Sequence, residues 1–255
     1  MRPGNNIILF CGREPYNPAM IIPSRLCLSL FLLLLWPGLP SRAADTKPIT
    51  IELSFQPNLK HGKYVYEICA SCHLPEGWGN HDGGFPQLAG QHPRVLMRQL
   101  LDIRAGKREN PIMYPFVQPR TIGDYQSLAD VVAYISTLPM DPDHGKGPWR
   151  QGSPEYASGK ALYEANCKVC HGRFAEGDDA SYTPRLQGQH YAYLLRQAKE
   201  IRAGHRTVNP RMTQVIGSLS LKQIERIMNY VSHIPVPRVD LAPSRNWRNP
   251  DFEEQ

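Results

Sequence analysis

Cys69-Ala70-Ser71-Cys72-His73 and Cys167-Lys168-Val169-Cys170-His171 are the two stretches from which the rest of this 255-residue chain can be read. They lie 98 positions apart, and the same offset aligns the residues beyond them. Pro86 falls on Pro184, Gly90-Gln91-His92 on Gly188-Gln189-His190, Arg98-Gln99 on Arg196-Gln197, and Ile103-Arg104-Ala105-Gly106 on Ile201-Arg202-Ala203-Gly204. The second copy then gains one residue, so that Asn110-Pro111-Ile112-Met113 meets Asn209-Pro210-Arg211-Met212. It loses three before Ala133-Tyr134-Ile135 meets Asn229-Tyr230-Val231. So few gaps over such a length identify a tandem duplication.

Each copy reads as helical. Tyr64, Val65 and Ile68 in one copy, and Leu162, Tyr163 and Cys167 in the other, give helical spacing into the pentad. A middle helix comes after the Gly-Gln-His turn, with Pro93 near its start in the first copy and Gly106 or Gly204 past its end. A last helix begins near Asp124 or Ser220, the latter opening a capping box through Gln223. It stops before Pro139 or Pro235. No alternating stretch long enough for a sheet occurs within either copy; Ile49 to Leu53 alternates but is short. The expected fold is all-α, two tandem domains over residues 49–140 and 154–237. A turn-rich linker at 141–153 joins them, and a polar tail at 238–255 drapes over the surface or is disordered.

Cysteines at i and i+3 on a helix share a face, from which they can bond two vinyl groups of one porphyrin. The adjacent histidine can then reach the iron from the same side. C-x-x-C alone fits zinc, a redox disulfide or haem; the next histidine selects haem attachment. The attachment residues are then Cys69 and Cys72, and Cys167 and Cys170, with His73 and His171 on the two irons. A four-sulfur zinc site pooling these cysteines would explain neither histidine. Methionine is the usual sixth ligand of an electron-transfer haem and raises its potential. Met97 and Met228 fall on apolar helix faces and read as core, and Met140 sits beside the linker with no counterpart. Met113 and Met212 match each other in a loop ahead of the last helix, and are the expected ligands.

The N-terminus reads as a signal peptide over residues 1–43: Arg25, an apolar run from Leu26 to Trp36, a Pro37-Gly38 break, and small residues around Ala43. Met20 is an alternative start. The run falls short of the roughly 20 residues a membrane span needs. Cleavage would remove Cys11 and Cys27, leaving every cysteine inside a pentad, as suits an oxidising compartment. It also removes four arginines and one glutamate, so the formal charge of +6 falls to +3. Four ionised propionates would bring it to about −1, so the basic pI is no argument for nucleic-acid binding.

On both pentads, the Pro-x-Leu-x-Gly-Gln runs (Pro86 to Gln91, Pro184 to Gln189), the Arg-Ala-Gly segments and the late methionines, the chain resembles the cytochrome c family, specifically di-haem cytochromes of the c4 type. The likeness spans roughly Asn58 to Pro235. It implies that the carbonyls of Pro86 and Pro184 accept a hydrogen bond from the proximal histidines, fixing the imidazoles and increasing their basicity. One departure stands out: Gly62 and Tyr66 lie one residue nearer their first cysteine than Gly159 and Tyr163 do, which is expected to alter that helix contact. The long loop from Met113 to Tyr134 is a second departure. His92 and His190 are expected at the surface or beside propionates, and His61, His144, His205 and His233 at the surface. His81 is a competitor to watch for the first iron. Either Arg104 and Arg202 or Arg108 and Arg206 are candidates to pair with propionates.

The expected function is a periplasmic electron carrier with two covalently bound haem c groups and no enzymatic activity. Its partners would be redox proteins: a donor dehydrogenase or quinol-oxidising complex, and an acceptor oxidase or reductase. No nucleic acid is involved, and peripheral membrane association is compatible with this reading. An electron-accepting subunit of a dehydrogenase complex is the alternative. A thiosulfate-oxidising or peroxidase enzyme fits less well, with no spare cysteine and a methionine matched to each haem.

Overall fold

The computed structural model describes residues 56–252. The leader, its cleavage point, Met20 and the Ile49–Phe55 segment lie outside the described residues. The first unit contains α1 (Leu59–His73), α2 (Pro93–Arg104), α3 (Pro119–Ile122) and α4 (Tyr125–Ile135). The second contains α5 (Pro154–Asn166), α6 (Lys168–His171), α7 (Tyr191–Arg202), α8 (Pro210–Ser218) and α9 (Leu221–Ser232). Asn58, Asp124, Ser153, Asn209 and Ser220 each cap a helix by accepting a backbone N–H. The Ser220–Gln223 capping box forms as expected, relieving two orphan donors. Among the described residues there is no strand, only isolated bridges at Met140–Leu241 and Asp178–Thr183.

The core of each unit forms where its first and last helices cross: α1 on α4, and α5 on α9. Each crossing is closed by a glycine. A Cβ on Gly62 would collide with the Asp130 carbonyl and press on Tyr134, and one on Gly159 would collide with the Arg226 carbonyl and press on Tyr230. Around them lie Tyr66, Leu128 and Val131 in one unit, and Tyr163, Ile224, Ile227 and Val231 in the other. The expected alteration of the helix contact is therefore not found, because the crossing is the same in both. The extra residue of the second unit is taken up further along. Helix α1 runs unbroken through its pentad, whereas α5 stops at Asn166 and α6 begins after Cys167. With the crossing and the histidine both fixed by packing, the surplus residue can only interrupt the helix between them. Tyr66 donates to the Leu74 carbonyl and Tyr163 to the equivalent Gly172 carbonyl, each at 2.8 Å.

The units meet across a pseudo-two-fold arrangement within one compact body. The Gln91 side chain accepts from the Arg185 N–H and donates to its carbonyl, at 3.0 and 2.9 Å. Gln189, its repeat partner, does the same to Gln87 at 3.0 and 2.9 Å. Met140, 2 % exposed, sits at the centre against Gly90 and Gly188, both in the left-handed region, where a side chain would collide with it. The linker lies along the second unit, Trp149 exchanging two hydrogen bonds with the buried Asn229 side chain. The tail neither hangs free nor merely drapes. Arg238 to Phe252 crosses back to the first unit, where Trp247 packs on Trp78, Phe252 on Tyr66, and Asn249 donates to the Pro75 carbonyl at 2.7 Å. Its polar composition concealed these few anchors.

Candidate functional site

In each unit the pentad closes the first helix, and the turn beyond it brings a proline carbonyl beneath the histidine. His73 Nδ1 donates to Pro86 O at 2.9 Å, and His171 Nδ1 to Pro184 O at 3.1 Å. Since a carbonyl can only accept, this fixes the proton on Nδ1 and leaves Nε2 with its lone pair. Both rings are buried, and burial holds both below the ordinary histidine value despite the proline carbonyls. The result is a neutral imidazole with a free, oriented nitrogen, the form that ligates a metal.

The first cysteine of each pair packs against its unit's core, while the second is nearer the surface: Cys72 half-buried and Cys170 exposed. Burial, foremost, and then the neighbouring thiol push Cys167 up to about 12; burial likewise raises Cys69 to about 12. A thiolate ligand is disfavoured there, and a neutral thioether is not. Among the described residues no group of three or more His, Cys, Asp or Glu is placed to hold a metal ion, so the two pairs do not pool into a zinc site.

The two candidate methionines lie on different backbone. Met113 is half-buried in a run of turns, its N–H donating to Asn110 Oδ1 at 3.2 Å. Met212 is in the first turn of α8 and packs against the second core. Both segments are anchored by repeat-related arginines. Arg104 donates to the carbonyls of Val117 and Gly123, the second at 3.0 Å. Arg202 donates to those of Gly217 and Leu219 at 2.8 and 2.6 Å. Both arginines thus hold the methionine segments through part of their donor set, Arg104 through Nε and Nη2 and Arg202 through Nη1.

Arg108 and Arg206 behave otherwise. Neither has a carboxylate within ion-pair distance among the described residues. Arg108 donates to Gln99 at 2.7 Å, to Gln197 at 3.0 Å and to Tyr193 at 3.2 Å. Arg206 donates to Gln197 and leaves its buried Nε without an acceptor. Burial first, and then the charge of Arg108, push Arg206 down to about 10. Two clustered guanidiniums are costly; Glu200 and Asp102 attract Arg206 from beyond ion-pair distance, and haem propionates would neutralise the pair more fully. With the paired thiols and free Nε2 atoms, the residues fit haem c in both units.

Several histidines fall elsewhere than expected. His92 and His190 are interface residues, donating to the carbonyls of Glu176 and Trp78 at 2.8 and 2.6 Å. His144 is buried and donates to Ser232 O. His81 reaches Asp141 at 3.4 Å and lies beside the His190 ring. Met97 and Met228 are core, as expected. Sequence reasoning missed the interface role of Gln91 and Gln189; their position directly before a repeated histidine was the available signal.

The profile of the cytochrome c family matches residues 59–139 and again 156–235. Cytochrome c4 of Azotobacter vinelandii is 31 % identical over 185 residues, 64 % of this chain and 83 % of that protein. A thiosulfate dehydrogenase electron acceptor of Stutzerimonas stutzeri (strain A1501) is 29 % identical over 199 residues, 71 % of this chain and 90 % of that protein. The crystal structure of reduced recombinant cytochrome c4 from Pseudomonas stutzeri superposes with a TM-score of 0.61 at 28 % identity, covering 71 % of this chain and all of that one.

Proposed function

We propose, from the premise that this chain belongs to the cytochrome c family and is a di-haem, cytochrome c4-like electron-transfer protein, that it shuttles single electrons between redox proteins of the periplasm with His73 and Met113 on one iron and His171 and Met212 on the other. The observation that carries this is the repetition of one site. In both units a neutral histidine is locked by a proline carbonyl, and an arginine ties the methionine segment to the middle helix. Haem c supplies the one-electron couple. Cys69, Cys72, Cys167 and Cys170 hold it covalently, and Pro86 and Pro184 keep each imidazole oriented between oxidation states. Arg104 and Arg202 tie the methionine segments to the middle helices, from which Met113 and Met212 would ligate the irons and keep them closed to outside ligands. The carrier reading, with no catalytic role, rests on that closure. Export through a cleaved signal peptide belongs to the same proposal.

Service as the electron acceptor of a dehydrogenase is the second reading, favoured by the thiosulfate dehydrogenase electron acceptor among the relatives. The ligand assignment is tested by the methionine-to-iron absorption band of the oxidised protein. Met113→Ala and Met212→Ala should each remove about half of it, since each would open one of two equivalent irons. A band untouched by both variants overturns the assignment. Co-purification with a dehydrogenase, against isolation as a free protein, separates the two readings.

A further inference from the structure

Each proximal histidine is held by a single peptide group, and the far side of that peptide group is held by the other unit. Pro86 O accepts from His73 Nδ1 at 2.9 Å, and the N–H of the same peptide, on Gln87, donates to Gln189 Oε1 at 3.0 Å. Pro184 O accepts from His171 Nδ1 at 3.1 Å, and the N–H of that peptide, on Arg185, donates to Gln91 Oε1 at 3.0 Å. A hydrogen-bonded relay therefore leads from a side chain of one unit, through one peptide, to the imidazole of the other. The same relay leads back in the opposite direction.

The surroundings fix both relays. Each glutamine also donates its Nε2 to the carbonyl of the residue it accepts from, at 2.9 Å in both copies. A flipped amide would set donor against donor and acceptor against acceptor, so Oε1 stays on the peptide N–H. Behind the proline carbonyls lie Gly79 and Gly177, both in the left-handed region. A Cβ on either would collide with Pro86 O or Pro184 O, so glycine backbone covers each carbonyl on that side. Gln87 and Gln189 are themselves buried.

A peptide group polarises as a whole. Donating its N–H moves electron density onto its carbonyl oxygen, and a hydrogen bond to that oxygen is strengthened in turn. The histidine then becomes more basic at Nε2. A more electron-rich axial ligand favours Fe(III) over Fe(II), and hydrogen bonding around the ligands is one of the levers on haem potential. Resting on the ligand assignment above, we propose that Gln189 and Gln91 are crossed positioning residues: Gln189 of the second unit tunes the first haem through His73, and Gln91 of the first unit tunes the second haem through His171. Joining the units is then part of setting both potentials, since neither relay exists in a unit alone.

The test is potentiometric titration of the haem-loaded full chain, with proton NMR of its reduced form. Gln189→Leu should raise the potential of the first haem alone, changing its Fe(III)/Fe(II) ratio about threefold at a fixed solution potential, or roughly 28 mV for one electron. The His73 ring N–H resonance should move upfield, as a weakened hydrogen bond requires, while that of His171 stays. Gln91→Leu should do the reverse. Met113→Ala and Met212→Ala, each removing one ligand-methyl resonance, assign the signals to the two haems. Gln189→Glu keeps the accepting oxygen and adds negative charge, so it should lower the first potential where leucine raises it. Gln87→Leu is the control. It cuts two other bonds between the units and the linker, to Gly188 O and from the Asp141 N–H, leaves both proline peptides paired, and should move neither haem. Shifts confined to the mutated unit's own haem, equal shifts of both, or a control as effective as the other variants would overturn the proposal, as would potentials that do not move. The methionine-to-iron band of the oxidised parent reports separately on the ligand assignment: its absence sinks that assignment, whereas an intact band without crossed shifts sinks only the tuning.

Discussion

The attachment helix is continuous in the first unit and broken at Cys167 in the second, yet both place a glycine crossing and a histidine in the same relation. Gly62 is seven residues before Cys69 and Gly159 eight before Cys167. Packing at two points is held constant; the helix between them yields. The same contrast recurs outside the core. Met113 lies on turns and Met212 on a helix, but an arginine from the middle helix anchors both segments. The tail folds over the first unit, and the linker lies along the second. Duplication preserved the chemistry and left the surfaces free to diverge.

The comparison breaks most readily at the crossings. Gly62→Ala and Gly159→Ala should each cost about 3 kcal/mol, because overpacking here pushes against backbone rather than a flexible side chain. Chemical denaturation should find the two alike, and a harmless Gly159→Ala would mean that the broken helix had relaxed the contact. Next in size is the tail. Trp247→Ala should cost about 2 kcal/mol, less than a fully buried tryptophan, and hydrogen exchange should quicken in α1 and α4 but not in α5 or α9. Gln91→Leu and Gln189→Leu should cost about 1.5 kcal/mol each by stranding a backbone N–H and carbonyl of the facing unit. Equal loss in the two, read by thermal unfolding, would support the pseudo-two-fold; unequal loss would break it.

Smaller still is the residue after each pentad histidine. Leu74 adopts φ 66°, ψ 156°, a region that only glycine enters without strain, and its counterpart is Gly172. Leu74→Gly should therefore stabilise the first unit by about 1 kcal/mol, measurable as a higher denaturation midpoint. The last distinction is acid sensitivity. Burial pushes Asp130 up, but hydrogen bonds from Asn58 N–H, His61 and Gln126 outweigh it and hold the carboxyl below its ordinary value. Its contribution is present above the ordinary carboxylate value and lost as pH falls through the depressed one. Arg226 occupies that place in the second unit. Tail contacts and α1 should thus loosen first on acidification, as tryptophan fluorescence from Trp247 and Trp78 would report; simultaneous loss in both units would refute this.

Much of the fold was legible. Helix caps, proline starts and apolar spacing are local properties, so Asp124, Ser220 and Pro93 mark boundaries that neighbours a few residues away suffice to set. The pentads and their repeat pointed to two haem c groups for the same reason: the chemistry needs side chains at i, i+3 and i+4, and covalent spacing supplies them. Less legible were residues whose partners are remote in sequence. Arg104 and Arg108 look interchangeable along the chain, and only packing assigns one to loop carbonyls and the other to Gln99, Tyr193 and Gln197.

The sequence by itself determined that there are two helical units, each with thiols and a histidine set for haem c, because those features depend on spacings of a few residues. Tertiary structure decided how the units differ and how they are joined. It set the break at Cys167, the glutamine exchange across the pseudo-two-fold, the burial of Met140, and the return of a polar tail to cover the first unit. Each of these depends on where a distant segment comes to rest, and a hydrogen-bonding or apolar side chain carries no local sign of the partner that will satisfy it.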